Sequence, residues 1–507
     1  MSIRKIYDGI SNPGETLTRR VIHGGFWSFS LRMANRGLTF MRTIILARLL
    51  SPNDFGLFGI AMLALAALEQ FSITGFDKAL VQKSGNIDDY LDTVWVVQIT
   101  RGFIIGLVLV LAAPIISRFF GEPRVVMLMR VLGIAIFIGS LKNIGVVFFR
   151  KNLEFHKEFV YMFSGTMADF VVALTAAFLL KNAWALIFGF LARNLVQFVV
   201  SYFIHSYRPR FRIEWEKAKD LFGFGKWVLG SSILVFLLTQ GDDIFVGKLL
   251  GVVSLGLYQV AYKISNLPAT EITHVISRIT FPAYSKLQDN IENLRKAYLD
   301  TIQLIAFFSF LIGGLIFILA GDFVVIFIGD KWLPMVSSVM VLVVYASIRS
   351  IGAATGPLFQ AVGRPQISTN IQIGKLILLV AIIYPLSARW GILGTSWAIL
   401  IDALVFHPIA EYMVIRITKA NPLRIIKLLG LPIIASAITV LSLSGIEKYL
   451  LISTNLLFFI LKILLGISIY FLITFLFVKI FDYRLLSLIK YRYRKFKGQN
   501  IEANSQV

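Results

Sequence analysis

Along the chain, apolar runs of 18 or more residues recur from end to end, separated by short polar breaks. Within each run the apolar positions are continuous rather than alternating. That pattern predicts membrane-crossing helices and argues against a membrane β-barrel. Fourteen such helices are expected, over 24–47, 55–76, 93–117, 125–149, 158–180, 183–204, 221–247, 255–281, 301–320, 333–362, 369–388, 391–415, 428–446 and 455–478. The loops between them are at most about 20 residues long, too short for a folded domain outside the bundle.

Composition agrees with this reading. Of 507 residues, 57% are hydrophobic and 15% charged, and the mean hydropathy is +0.77. A soluble chain of this length carries far more charge. The first 20 residues are polar and broken by Asn12-Pro13-Gly14, so no cleavable signal peptide is expected. With no cysteine and five scattered histidines, disulfides and thiolate metal sites are excluded, and no metal or cofactor is expected.

The net charge of +22 reads as topology. Lys and Arg number 29 in the N-terminus, the loops after even-numbered helices and the C-terminus, against 8 in the opposite loops. The positive-inside rule then places both termini in the cytoplasm and requires an even number of spans. The basic excess also suits anionic membrane lipids, and nucleic acid is not needed as a partner.

An internal repeat organises the spans. With an offset of 200 and no gaps, the segment from Gly25 meets the segment from Gly225: Trp27 falls on Trp227, Thr39 on Thr239, Gly56-Leu57-Phe58 on Gly256-Leu257-Tyr258, and Ala61 on Ala261. Six helices separate the copies, so both enter the membrane in the same direction, the parallel-repeat arrangement of some secondary transporters. The expected fold is an all-α polytopic membrane protein with two pseudosymmetric six-helix lobes plus two extra C-terminal helices. Its parts are a cytoplasmic segment 1–23, an N-lobe 24–204, an inter-lobe cytoplasmic loop 205–220, a C-lobe 221–415, helices 13–14 within 428–478 and a basic cytoplasmic tail 479–507.

Thirteen Lys and Arg remain inside the predicted spans, among them Arg32, Arg36, Arg42, Arg278, Arg349, Lys375 and Lys462, against the interior acids Glu69, Asp169, Asp242, Asp243, Glu271, Asp402 and Glu411. Facing lipid, each charge costs roughly 2.5–3.5 kcal/mol on the insertion scale, so central ones require partners or water. Helix geometry groups them. Arg32, Asn35, Arg36 and Thr39 share one arc of helix 1; Lys263, Asn266, Thr270 and His274 share a face of helix 8, flanked by Glu271 and Arg278. Pro268 is expected to kink that helix. The two stripes together suggest walls of a hydrated cationic cavity between the lobes, suited to an anion such as phosphate. Structural pairing stays open for individual residues: Glu271 with His274 or Arg278, and Arg42 with Asp242, its partner position in the repeat.

The segments "ARLLSPNDFGLFGIAM", "GKLLGVVSLGLYQVAYKISNLP", "ISRITFPAYSKL" and "GILGTSWAI" resemble the Wzx-type polysaccharide flippases of the multidrug/oligosaccharidyl-lipid/polysaccharide exporter superfamily. The resemblance extends over essentially the whole chain. It implies alternating access and a polyprenyl-diphosphate-linked oligosaccharide as cargo, moved across the bacterial inner membrane for surface polysaccharide synthesis. It also implies arginines in a central cavity, an idea carried here to Arg32, Arg36 and Arg278, and a lipid-tail groove at helices 13–14. Polysaccharide polymerase and export machinery would be partners. Nothing covalent changes in such a step, so no enzyme activity is expected. Glu69, Asp169 and Asp402 are the candidate proton or sodium sites. Two rival readings are an ion-coupled multidrug-extrusion antiporter, whose cationic cargo suits an acidic cavity, and a membrane-embedded glycan polymerase or ligase. A third is a non-transporting scaffold.

Overall fold

Short polar signals start and stop the helices. Ser51 accepts from the Asp54 backbone N–H at 3.3 Å while Asp54 accepts from the Ser51 N–H at 2.9 Å, and Pro52 occupies the first helical turn. This capping box satisfies two otherwise orphaned donors where the chain turns back into the bundle. Asn290 and Asn455 cap two later helices through their side-chain oxygens.

The structure is a computed structural model that describes residues 17–72, 88–152, 154–214, 234–450 and 455–478. The side chains of Arg32, His274 and Arg278 fall outside the described residues. The described chain is helical throughout, with no strand among the described residues. In the first part run α1 (Leu17–Leu49), α2 (Pro52–Phe71), α3 (Asp88–Phe120), α4 (Val125–Ser140), α5 (Val147–Lys151), α6 (Phe155–Leu180), α7 (Trp184–Ile204), α8 (234–249) and α9 (Gly251–Ser265). There follow α10 (Leu267–Leu287), α11 (Ile291–Phe323), α12 (Val336–Ala361), α13 (Pro365–Thr418), α14 (Pro422–Leu450) and α15 (Leu456–Phe477). The chain divides into two compact units, Met1–Gly256 and Leu257–Val507.

Among the described residues, nine helices are long and apolar enough to cross a membrane, or ten if the bent pair α4–α5 is one span. Their outer faces carry large apolar side chains that no soluble protein would expose so densely: Ile115 is 70% exposed, Leu179 78% and Leu441 70%. The molecule is therefore a multi-pass membrane protein.

In the first unit, α6 and α7 pair along their length, α3 pairs with α4, and α1 lies on α6. The span expected over 125–149 is interrupted. Between α4 and α5 the chain bends by 71°. The cause is Asn143, fully buried and extended, which accepts from the Gly145 N–H at 2.8 Å and donates to the Tyr207 carbonyl at 2.6 Å. Gln98 donates to the Ser140 carbonyl that the break leaves over, at 2.6 Å.

The repeat has a physical basis here. A Cβ on Gly56 would strike the backbone of Val252, and a Cβ on Gly256 would strike the backbone of Pro52. These two contacts exchange when 200 is added to one member and subtracted from the other. The α2 and α9 backbones thus meet about a local pseudo-twofold axis, and each copy of the repeat must supply a glycine.

In the second unit, α11 is the axis against which α10, α12, α14 and α15 pack, with Tyr284, Tyr298, Phe307, Phe359 and Tyr470 in the shared core. The helix expected over 255–281 is broken at Asn266 (φ −85°, ψ 3°), and α10 restarts with Pro268 in its first turn. The expected spans 369–388 and 391–415 are two arms of α13, which reverses at Gly391 (φ 58°, ψ −137°). Glycine suits that left-handed backbone. Folding back brings the Phe406 ring against Gly374 and the Ser387 and Thr395 hydroxyls to 2.8 Å.

Candidate functional site

In the first unit several of the expected site residues lie on α1, which packs on α6. Asn35, Arg36 and Thr39 are half-buried on α1, and the Asn35 Oδ1 is buried without a hydrogen-bond partner. One turn on, Arg42 Nη2 lies 2.8 Å from Asp169 Oδ1 of α6, both side chains little exposed. Arg42 therefore pairs with Asp169 rather than with its repeat partner Asp242, which is buried on α8 with a contact of its own. The correction has a geometric reason: the repeat relates Arg42 to position 242 by symmetry, whereas contact is decided by the α1–α6 packing. Gly189 of α7 leaves the space that the Asp169 carboxylate fills. Arg193, also on α7, acts on Arg42 with a second positive charge. A second guanidinium thus stands near the Arg42–Asp169 pair. Glu69, by contrast, is an exposed residue near the end of α2, whose carbonyl accepts from Arg101 Nη2 at 3.0 Å.

In the second unit α10, α12 and the two arms of α13 enclose a cavity of about 490 Å³. The hairpin at Gly391 sets Lys375 of the first arm beside Phe406 and His407 of the second, and α12 adds Arg349, Thr355 and Phe359. Thr270, Ser368 and Gln372 complete the polar lining. Arg349 Nη1 donates to the Tyr262 hydroxyl at 2.9 Å, which fixes its direction. Lys375 has no carboxylate within ion-pairing distance among the described residues; Asp402 acts on it only from further away. A half-buried ammonium without a counter-ion is a standing anion site. Behind the wall, both Glu411 oxygens accept from the Tyr298 hydroxyl, at 2.8 and 2.9 Å, and the Thr355 hydroxyl donates to Oε1 at 3.1 Å.

Of the residues expected on the helix-8 stripe, Thr270 lines this cavity. Asn266 sits at the helix break and Lys263 on the exposed face of α9. Asp402 is buried on the second arm of α13, its Oδ1 unbonded. Arg349, Lys375, Gln372 and His407 were not expected at a site. The sequence signal was present in part, since Arg349 and Lys375 were already counted as cations inside spans.

A third charged cluster lies in α11, α14 and α15. Lys462 Nζ donates to Asp322 Oδ2 at 2.6 Å and to Glu447 Oε1 at 3.0 Å. The Lys462 charge is therefore neutralised by α11 and α14.

A bundle of this kind, with cationic surfaces facing polar side chains inside it, defines a membrane transport fold, and the comparisons agree. Residues 45–337 match the family model described as polysaccharide biosynthesis protein. The chain belongs to that family. It is 24% identical to the lipopolysaccharide biosynthesis protein WzxC of Escherichia coli K12 over 79% of this chain and 82% of that protein. It is 22% identical to the teichuronic acid biosynthesis protein TuaB of Bacillus subtilis 168 over 80% and 84% of the two chains. Its fold is that of the lipid II flippase MurJ, with a TM-score of 0.71, 16% identity, and coverage of 90% of this chain and 99% of the other.

Proposed function

We propose that this protein is a flippase. It moves a polyprenyl-diphosphate-linked oligosaccharide across the bacterial cytoplasmic membrane for surface polysaccharide synthesis, with no covalent step. A diphosphate and its sugars cannot enter hydrocarbon, whereas the prenyl tail can remain there. The protein need only supply a polar, cationic surface for the headgroup and expose it to each side in turn. The observation that carries this reading is the second-unit cavity, where Lys375 has no carboxylate partner among the described residues and Arg349 shares the lining with Thr270, Ser368 and Gln372. Lys and Arg there offset dehydration of phosphate oxygens, while Thr270, Ser368 and Gln372 suit phosphate or sugar hydroxyls. The Arg36–Arg42–Arg193 cluster of the first unit is read as a cationic surface of its own, on the expected helix-1 stripe.

The rest of the assignment belongs to the same proposal: fourteen spans arranged as two six-helix lobes with two added helices, both termini cytoplasmic, and polymerase and export proteins as neighbours in the pathway. A multidrug antiporter is the weaker alternative, because an organic cation would meet Arg349 and Lys375. The test is flipping of a lipid-linked oligosaccharide in proteoliposomes by wild type and by Arg349→Gln with Lys375→Gln. Two charge-assisted contacts at roughly 1.5 kcal/mol each predict a loss of about 100-fold. Unchanged flipping by a correctly inserted double variant would reject the cavity as the headgroup site.

A further inference from the structure

The second unit holds a carboxyl–imidazole pair that headgroup binding does not use. Glu411, 7% exposed, is hydrogen-bonded among the described residues only to the neutral hydroxyls of Tyr298 and Thr355. One helical turn earlier, His407 Nε2 lies 3.8 Å from Glu411 Oε1 and is buried with no hydrogen-bond partner. His407 and Thr355 also line the cavity, which places the pair in its wall.

We propose that Glu411 and His407 form a proton-binding site in the cavity wall, and that its occupancy sets how strongly the cavity holds a phosphate-bearing group. The second half of this statement rests on the flippase reading above; the first half does not.

The argument is one of unsatisfied groups. A carboxylate among helices, with hydroxyl donors but no cation among the described residues, is an uncompensated charge. A neutral imidazole nitrogen facing it without a donor or acceptor is an uncompensated dipole. A proton held between them, on either atom, satisfies both. Among the described residues, the other titratable or charged groups around the pair are Tyr284 of α10, Tyr298 and Asp300 of α11, Arg349 of α12, and Lys375 and Asp402 of α13. None of them forms an ion pair with Glu411.

Lys375 shares the cavity with His407 and acts on it as a like charge. An anion bound at Lys375 screens that repulsion and so favours a further proton on the pair. By reciprocity the extra proton favours the anion, and cavity affinity for phosphate rises as pH falls.

The test uses the purified full-length protein in detergent and inorganic pyrophosphate as probe. Calorimetry in two buffers of different ionisation heat, at one pH, gives the protons taken up per pyrophosphate bound. Subtracting the value for Glu411→Gln removes the titration of pyrophosphate itself. Wild type is expected to take up about one proton more than Glu411→Gln, and His407→Gln is expected to match Glu411→Gln. Equal uptake in wild type and Glu411→Gln, with pyrophosphate still bound, overturns the proton site and leaves the anion cavity standing. If wild type binds no pyrophosphate, the linkage to the cavity fails. Infrared difference spectra then decide the site alone: a protonated-carboxyl band that titrates in wild type and is missing from Glu411→Gln supports it, and no such band in wild type overturns it.

Discussion

Two lysines of the second unit sit in membrane-spanning helices with opposite surroundings. Lys462 of α15 is 7% exposed and holds Asp322 at 2.6 Å and Glu447 at 3.0 Å. Lys375 of α13 is half-buried, lines a cavity and, among the described residues, has no carboxylate within ion-pairing distance. The first has more negative charge around it than it carries, so nothing is left for a ligand; it joins α11, α14 and α15. The second keeps its charge for whatever enters. Intramembrane charge alone therefore does not mark a transport site. What separates the two lysines is the local count of counter-ions, which follows from tertiary packing.

The largest expected effect breaks the compensated side. In Lys462→Met, Asp322 is left buried without its cation, and the destabilisation should be about 3 kcal/mol. Glu447 adds little, because its side chain is 41% exposed and water replaces the lysine there. Chemical denaturation of the detergent-solubilised protein measures this. The double variant Lys462→Met, Asp322→Asn should recover about 2 kcal/mol of the loss, since it removes the stranded charge rather than the contact. No recovery would mean that Lys462 acts through packing of its stem.

The Arg42–Asp169 pair lies between these extremes and tests the same distinction in the first unit. Arg193 already acts on this site, so Arg42→Gln leaves Asp169 with a second cation nearby. A cost of about 1–2 kcal/mol is expected, lower than for Lys462→Met. If instead Arg42→Gln costs as much as Lys462→Met, then Arg193 is not available to Asp169 and the cluster is a closed pair.

These differences set the limit of what could be read from sequence. The all-helical, multi-pass class followed from the apolar runs, because hydrophobic length is a local property. The repeat was legible at Gly56 and Gly256 because a backbone-to-backbone crossing demands glycine in both copies. The break after α4 was not, because Asn143 breaks the helix through Tyr207 and Ser201, about 60 residues away. The Arg42 partner was misread for the same reason: Asp169 is brought close by the packing of α6, which no offset encodes. In the cavity, Lys375 and Arg349 were visible as charges, but their meeting with His407 depends on the reversal at Gly391. A lone histidine on an apolar helix gives no sign of facing a carboxylate one turn later until the opposing helices are in place.

The smallest expected change in stability is the sharpest test of the comparison. Lys375→Met keeps the length of the side-chain stem and deletes a charge that has no close partner to strand. Among the described residues the acid that acts on it, Asp402, is too far for an ion pair, so the variant should stay within about 0.5 kcal/mol of wild type. Removing an uncompensated ammonium from a low-dielectric wall can even raise stability slightly, since its desolvation cost disappears with it. Pyrophosphate binding should nevertheless fall by about 10-fold, the worth of one charge-assisted contact. Measured together, unchanged unfolding and lost binding separate Lys375 from Lys462, for which destabilisation is expected and no direct ligand contact. A large loss of stability in Lys375→Met would show that Asp402 depends on it after all, and would turn the second lysine into another structural charge.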